Sequence, residues 1–134
     1  STRKGVELEY AQDLSHEWHH TIGAHWSVAQ DSSHTQLLRR PRWRVNNSLS
    51  KTVDTASTTL AHTYTGAHRD LDASTYLAKT MPGVHTFDLH HTVYFNTTQS
   101  ISASIRNITD ESYQQPDGYA QAGRNFAITY SVKF

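Results

Sequence analysis

The sequence predicts an all-β fold: an antiparallel up-and-down transmembrane sheet of about seven strands, an odd number that cannot close on itself and so reads as a segment of a larger β-barrel. Three observations predict it. Seven stretches alternate apolar and polar residues with period two, and none of comparable length carries a helical stripe. Most run about ten to thirteen residues, longer than the usual ~5–6 of a globular strand and matching the ~9–11 of a tilted membrane-crossing one. Aromatic residues also recur eight positions apart on the apolar face of three stretches: Trp18 and Trp26, Phe87 and Phe95, Phe126 and Phe134. Eight residues rising about 3.3 Å each, tilted by about 40°, climb roughly 20 Å, close to the ~25 Å apolar band of an outer-membrane barrel.

In chain order, the first stretch, 3–12, puts Val6, Leu8 and Tyr10 on one face, and the second, 17–29, puts Trp18, Ile22, Ala24, Trp26 and Val28 there. The third, 42–53, carries Trp43, Val45, Leu49 and Val53; the fourth, 56–66, carries Leu60 and Tyr64. The fifth, 84–96, alternates through Phe87, Leu89, Val93 and Phe95, and the sixth, 99–109, through Ile101, Ala103 and Ile105. The last, 125–134, reads Phe126, Ile128, Tyr130, Val132, Phe134 on one face and Asn125, Ala127, Thr129, Ser131, Lys133 on the other. Short connections rich in turn residues (13–16, 53–57, 96–99) alternate with long ones at 30–41, 67–83 and 110–123. The short and long ends therefore lie on opposite sides of the sheet, as in outer-membrane barrels. Trp18, Phe95 and Phe134 then fall at the short-turn end. Trp26, Trp43, Tyr64, Phe87 and Phe126 fall toward the long loops, giving two membrane girdles. The other face, with residues such as Glu7, Glu9, Thr21, Asn46, Ser48, Asp88 and Thr92, suits a wet lumen. It equally suits the solvent side of a soluble β-barrel or sandwich, the competing fold.

Composition narrows the classes. The 134 residues are only 36% hydrophobic, and no run approaches the ~20 apolar residues of a membrane helix. Twelve Lys and Arg balance twelve Asp and Glu, leaving no field to gather nucleic acid. Without Cys there are no disulfides or thiolate metal sites. The chain opens on Ser and carries no signal peptide, so it reads as a processed chain or an excised piece. No nucleophile elbow, phosphate-cradling Gly-rich loop or HExxH is present, and no catalytic residue is assigned.

Four stretches, KGVELEY, LLRRPRWRVNNSLS, MPGVHTFDLHHTVYF and the run from IRNITDESYQQPDGY through AGRNFAITYSVKF, resemble the carboxy-terminal part of TonB-dependent outer-membrane receptors, especially the cobalamin and catecholate-siderophore branch. They cover most of the chain in the family's order. The resemblance implies that residues 1–134 are the last seven or so strands of a 22-stranded type of barrel, with no plug domain or TonB box visible. It implies uptake of a scarce ligand, cobalamin or a ferric siderophore, with energy from the TonB complex acting through the absent amino-terminal region. It implies an outer-membrane location with the carboxy terminus in the periplasm. Barrel-assembly machinery would recognise the terminal strand through Tyr130, Val132 and Phe134. Further partners are the small-molecule chelate or cobalamin itself, outer-membrane lipid and lipopolysaccharide.

The long loops supply the candidate ligand contacts: His34, Arg39, Arg40, His68, Arg69, Tyr76, Tyr113 and Tyr119. Arg39, Arg40, Arg42 and Arg44 are the densest charge, suited to an anionic ligand or to lipopolysaccharide phosphates, or else a solvated loop base with internal salt bridges. Ten histidines invite a metal- or haem-uptake alternative. Strand parity separates His19 from His20 and His90 from His91, and puts His20, His62, His68, His85 and His91 on the apolar side. No metal ligand set or cofactor is assigned. Asp110, Glu111 and Asp117 read as turn chemistry, and Gly66, Gly83 and Gly118 as sources of backbone freedom.

Overall fold

A computed structural model describes residues Ser1–Phe134. The chain forms nine strands: β1 (Thr2–Asp13), β2 (Trp18–Gln30), β3 (Trp43–Val53), β4 (Ala56–Thr65), β5 (His68–Leu71), β6 (Ala78–Met81), β7 (Val84–Tyr94), β8 (Gln99–Arg106) and β9 (Asn125–Val132). Seven of them make one antiparallel sheet in the order β1-β2-β3-β4-β7-β8-β9, and β5 and β6 pair apart from it as a hairpin. The seven sheet strands are those the alternation predicts. The hairpin lies inside the 67–83 stretch expected to be loop, so that expectation is corrected. Asp72, whose carboxylate accepts from Ser74 N (3.0 Å) and Thr75 N (2.9 Å), folds the tip and brings β5 back onto β6.

Register fixes which side chains share a face. Val6 pairs with Trp26, Trp26 with Trp43, Val45 with Tyr64, Leu60 with Leu89, Leu89 with Ile105 and Ile105 with Phe126. Directly opposed residues point to the same side of a sheet, so these apolar residues form one continuous surface. The polar face is knitted by cross-strand hydroxyl pairs, Thr21 with Ser48 at 2.7 Å, Ser50 with Thr59 at 2.8 Å and Thr92 with Ser102 at 2.9 Å.

No second layer covers either face. The only buried apolar residues are Ala29 and Met81, whereas Leu8 is 61% exposed, Phe126 71% and Ile128 78%. A sandwich buries its apolar face between sheets, so the soluble sandwich alternative is not the architecture formed. Nor does the sheet close on itself, since β1 pairs only with β2 and β9 only with β8. The molecule is a wall with two free edges.

Strand ends are set by local chemistry. Phe95 and Phe134 lie one and two residues beyond β7 and β9 rather than inside them. The Asn96 side-chain Oδ1 accepts from Thr98 N and Gln99 N, closing the turn directly after Phe95. The sixth predicted stretch stops at Arg106 instead of 109, because Asn107 turns to φ 51° and its side chain donates to Glu111 O and Ala122 O. Of the three loop glycines, only Gly118 needs positive φ, at 82°. Gly66 and Gly83 serve close approach instead: a Cβ would lie 3.1 Å from the Trp43 carbonyl oxygen in the first and 3.1 Å from the Tyr64 hydroxyl in the second.

Candidate ligand-facing site at the long-loop end

The three long connections leave the same end of the sheet, and one carboxylate joins them. Asp70, at the heart of β5, is fully buried. Its Oδ1 accepts from Arg39 Nε of the first loop at 2.8 Å and from Leu71 N at 2.8 Å, and its Oδ2 accepts from Asp117 N of the third loop at 2.9 Å. Arg39 N also donates to Arg69 O at 2.7 Å. A buried charge is tolerated only when paired and hydrogen-bonded, and this one meets both conditions. Burial pushes the Asp70 carboxyl up, but the Asp117 amide, the Arg39 guanidinium and the Leu71 amide outweigh that and hold it at about 2.

Asp117 extends the joint. Its Oδ2 accepts from Ala73 N and its Oδ1 from Lys79 Nζ, both at 2.9 Å, tying the third loop to both sides of the hairpin. The Ala73 amide and the Lys79 ammonium keep the Asp117 carboxyl below its ordinary range, and Lys79 is raised in return. Gly118 follows in the left-handed region, where a Cβ would stand 2.7 Å from Ala73 Cβ. The turn expected at Asp117 is present, but its acid is a buried anchor.

The eight candidate contacts divide by placement. Arg39 is engaged by Asp70, and His68 is buried with Nδ1 3.1 Å from Gly66 O. Tyr76, at the hairpin tip, is 76% exposed and Tyr119 is 68% exposed. His34 stands exposed in the first loop. Tyr113 lines a cavity of about 260 Å³ between the hairpin and the third loop, with His68, Lys79 and Glu111. Arg40 and Arg69 line a second, of about 220 Å³, with Arg42, Gln36, His68 and Thr80. Asp70, Asp72, Asp117 and Lys79 organise all of this and were not among the sequence candidates. The signal available was the Asp-Ala-Ser-Thr turn between two short alternating runs.

The histidines follow parity with one exception. His20 Nε2 lies 2.7 Å from Asn47 Oδ1, and His62 Nε2 lies 2.9 Å from His85 Nδ1, on the apolar face. His91 Nδ1 reaches Thr58 Oγ1 at 2.8 Å there, while His19 meets Asp13 on the other face. His68 is the exception, since it belongs to the hairpin. No three His, Asp or Glu side chains gather where they could hold one metal ion.

No family model matches the chain. Over 138 aligned residues it is 26% identical to the vitamin B12 transporter BtuB of Vibrio cholerae, with 100% of this chain and 22% of the relative covered. Its fold matches the ferripyoverdine receptor of the outer membrane of Pseudomonas aeruginosa at TM-score 0.81 and 15% identity, covering 98% of this chain and 19% of that one. The ferric-catecholate import receptor Fiu of E. coli matches at TM-score 0.76 and 17% identity, covering 97% and 20%. The chain thus spans about a fifth of the length of the proteins it resembles. The chain is thus a single-layer antiparallel wall with one apolar face, similar from end to end to a vitamin B12 transporter by sequence and to outer-membrane receptors by fold.

Proposed function

We propose that the chain is the carboxy-terminal wall of an outer-membrane receptor that takes up cobalamin or a ferric siderophore with TonB-coupled energy. The observation that carries this reading is the match to a vitamin B12 transporter along the whole chain. In this reading the apolar face meets lipid, the polar face lines the lumen, the short turns lie in the periplasm and the three joined loops lie outside. Trp18, Phe95 and Phe134 sit at one interface; Trp26, Trp43, Tyr64, Phe87 and Phe126 sit at the other. The exposed loop residues His34, Tyr76 and Tyr119, together with Arg40, Arg69 and Tyr113 at the cavities, contact the ligand. Arg39 and His68 hold the loops that present them. No catalytic step falls to this chain. The barrel-assembly machinery reads β9, and TonB acts on parts of the receptor beyond these residues.

The test is uptake. The receptor carrying this segment is expressed in a strain stripped of its own cobalamin and siderophore receptors, with and without TonB. Labelled cyanocobalamin and ferric catecholate are then supplied. Accumulation of one of them that disappears without TonB is expected; accumulation of neither, in cells whose membrane contains the folded barrel, overturns the reading.

A further inference from the structure

We propose that the cavity between the first long loop and the β5–β6 hairpin is an oxyanion site, taking the phosphate or carboxylate group of a larger molecule on Arg40, Arg42 and Arg69. Positive and negative residues balance over the whole chain, yet this cavity of about 220 Å³ is lined by three guanidinium-bearing residues and no acid. The acids around it are committed elsewhere. Asp70 accepts from Arg39, Asp117 and the more distant oxygen of Asp72 face Lys79, and Asp31 accepts from the Ser33 hydroxyl and the Ser33 and Thr35 amides, with Arg69 acting on it only as a weaker attraction beyond ion-pair distance. None of Arg40, Arg42 and Arg69 has a carboxylate within 4.0 Å, and of the first loop's arginines only Arg39 is in an ion pair.

The Arg40 segment is also tied into the cavity wall. Gln36 lines it, and its Oε1 is buried without a hydrogen-bond partner while its Nε2 donates to Arg40 O at 3.1 Å. Guanidinium groups bind phosphate and carboxylate in a two-pronged geometry, and clustered cations with no carboxylate at ion-pair distance attract anions. The volume is below the ~300–1,000 Å³ of pockets that enclose a drug-sized ligand, so the site takes a head group and leaves the rest of the molecule outside.

The inference rests on the reading of the long-loop end as the ligand-facing end, and its test is separate from transport. The receptor barrel carrying this segment is purified in detergent and titrated calorimetrically with inorganic phosphate and with citrate. Saturable binding of at least one is expected, weakened by added salt. It should weaken about tenfold or more in Arg40→Gln/Arg69→Gln and stay unchanged in Arg3→Gln, on β1 away from the cavity. Arg40→Lys/Arg69→Lys keeps the charge and guards against loss of fold; it is expected to bind between wild type and the Gln pair. Phosphorus assay of the purified barrel identifies the source. Phosphorus that co-purifies, extracts into organic solvent and is displaced by citrate marks a lipid phosphate, and a barrel without extractable phosphorus that still binds marks a soluble anion. No saturable binding of either anion to the wild type, or equal binding in a folded Gln or Lys pair, overturns the proposal. Because no transport is measured, an uptake result in either direction leaves this outcome intact.

Discussion

Asp70→Ala would leave the Arg39 guanidinium and the amides of Leu71 and Asp117 without their acceptor. Breaking one side of a buried ion pair costs ~3–5 kcal/mol. The Arg39 side chain is 59% exposed and can be rehydrated, so we expect a loss of about 2 kcal/mol, confined to the loops. Amide hydrogen exchange would show faster exchange throughout 69–79 and 112–119 with β2, β3 and β4 unchanged. The pH dependence follows from sign. The folded carboxyl, at about 2, lies below its unfolded value of ~3.9. Its contribution is therefore complete above about pH 4 and lost as pH falls toward 2. Spin labels at positions 34 and 119 should give a narrow distance distribution from pH 8 to pH 4 that broadens below. Gly118→Ala tests the neighbouring joint. A side chain at φ 82° with its Cβ 2.7 Å from Ala73 Cβ should cost about 1–2 kcal/mol of loop stability, visible as the same exchange pattern in a milder form.

Among the strands, sensitivity should depend on face alone. Leu60→Arg places a charge on the apolar face in the middle of β4, opposite Leu49 and Leu89. A cost of about 2–4 kcal/mol in bilayer folding is expected for the barrel carrying it. Ala61→Ser, one residue on and facing the other way, should change almost nothing; urea titration in lipid vesicles measures both. Phe134→Ala in the full receptor should lower the amount of assembled barrel without altering ligand affinity per folded molecule, whereas normal assembly with weakened binding would reverse that assignment. The strands were legible because alternation survives wherever a face is uniformly wetted by lipid or by water. The hairpin was not legible, because β5 and β6 have four residues each and are held by polar ties rather than by an apolar face. Those ties reach across 31 residues to Arg39 and 47 to Asp117, distances at which local pattern carries no information. The arginine cluster was visible as composition; only the fold separated Arg39, spent on Asp70, from Arg40, Arg42 and Arg69.

At the scale of the whole molecule, stability cannot come from a core, since two apolar residues are buried in all. It comes from the hydrogen-bond ladders and from whatever solvates the two faces. The free ladders of β1 and β9 are templates for further strands, which in a complete barrel are the adjoining strands of the wall. Cut out of that wall and purified in plain buffer, the chain should associate through its edges and apolar face, and detergent should disperse it, as light scattering would report. The Asp70 joint has a consequence for engineering. Because the Asp70 carboxylate holds pieces of three loops, exchanging the hairpin alone would orphan partners in both of the others, and exchanging either of those alone would orphan groups in the hairpin. A graft that is to keep the shape of this end of the wall must therefore carry 31–42, 66–83 and 107–124 as a set.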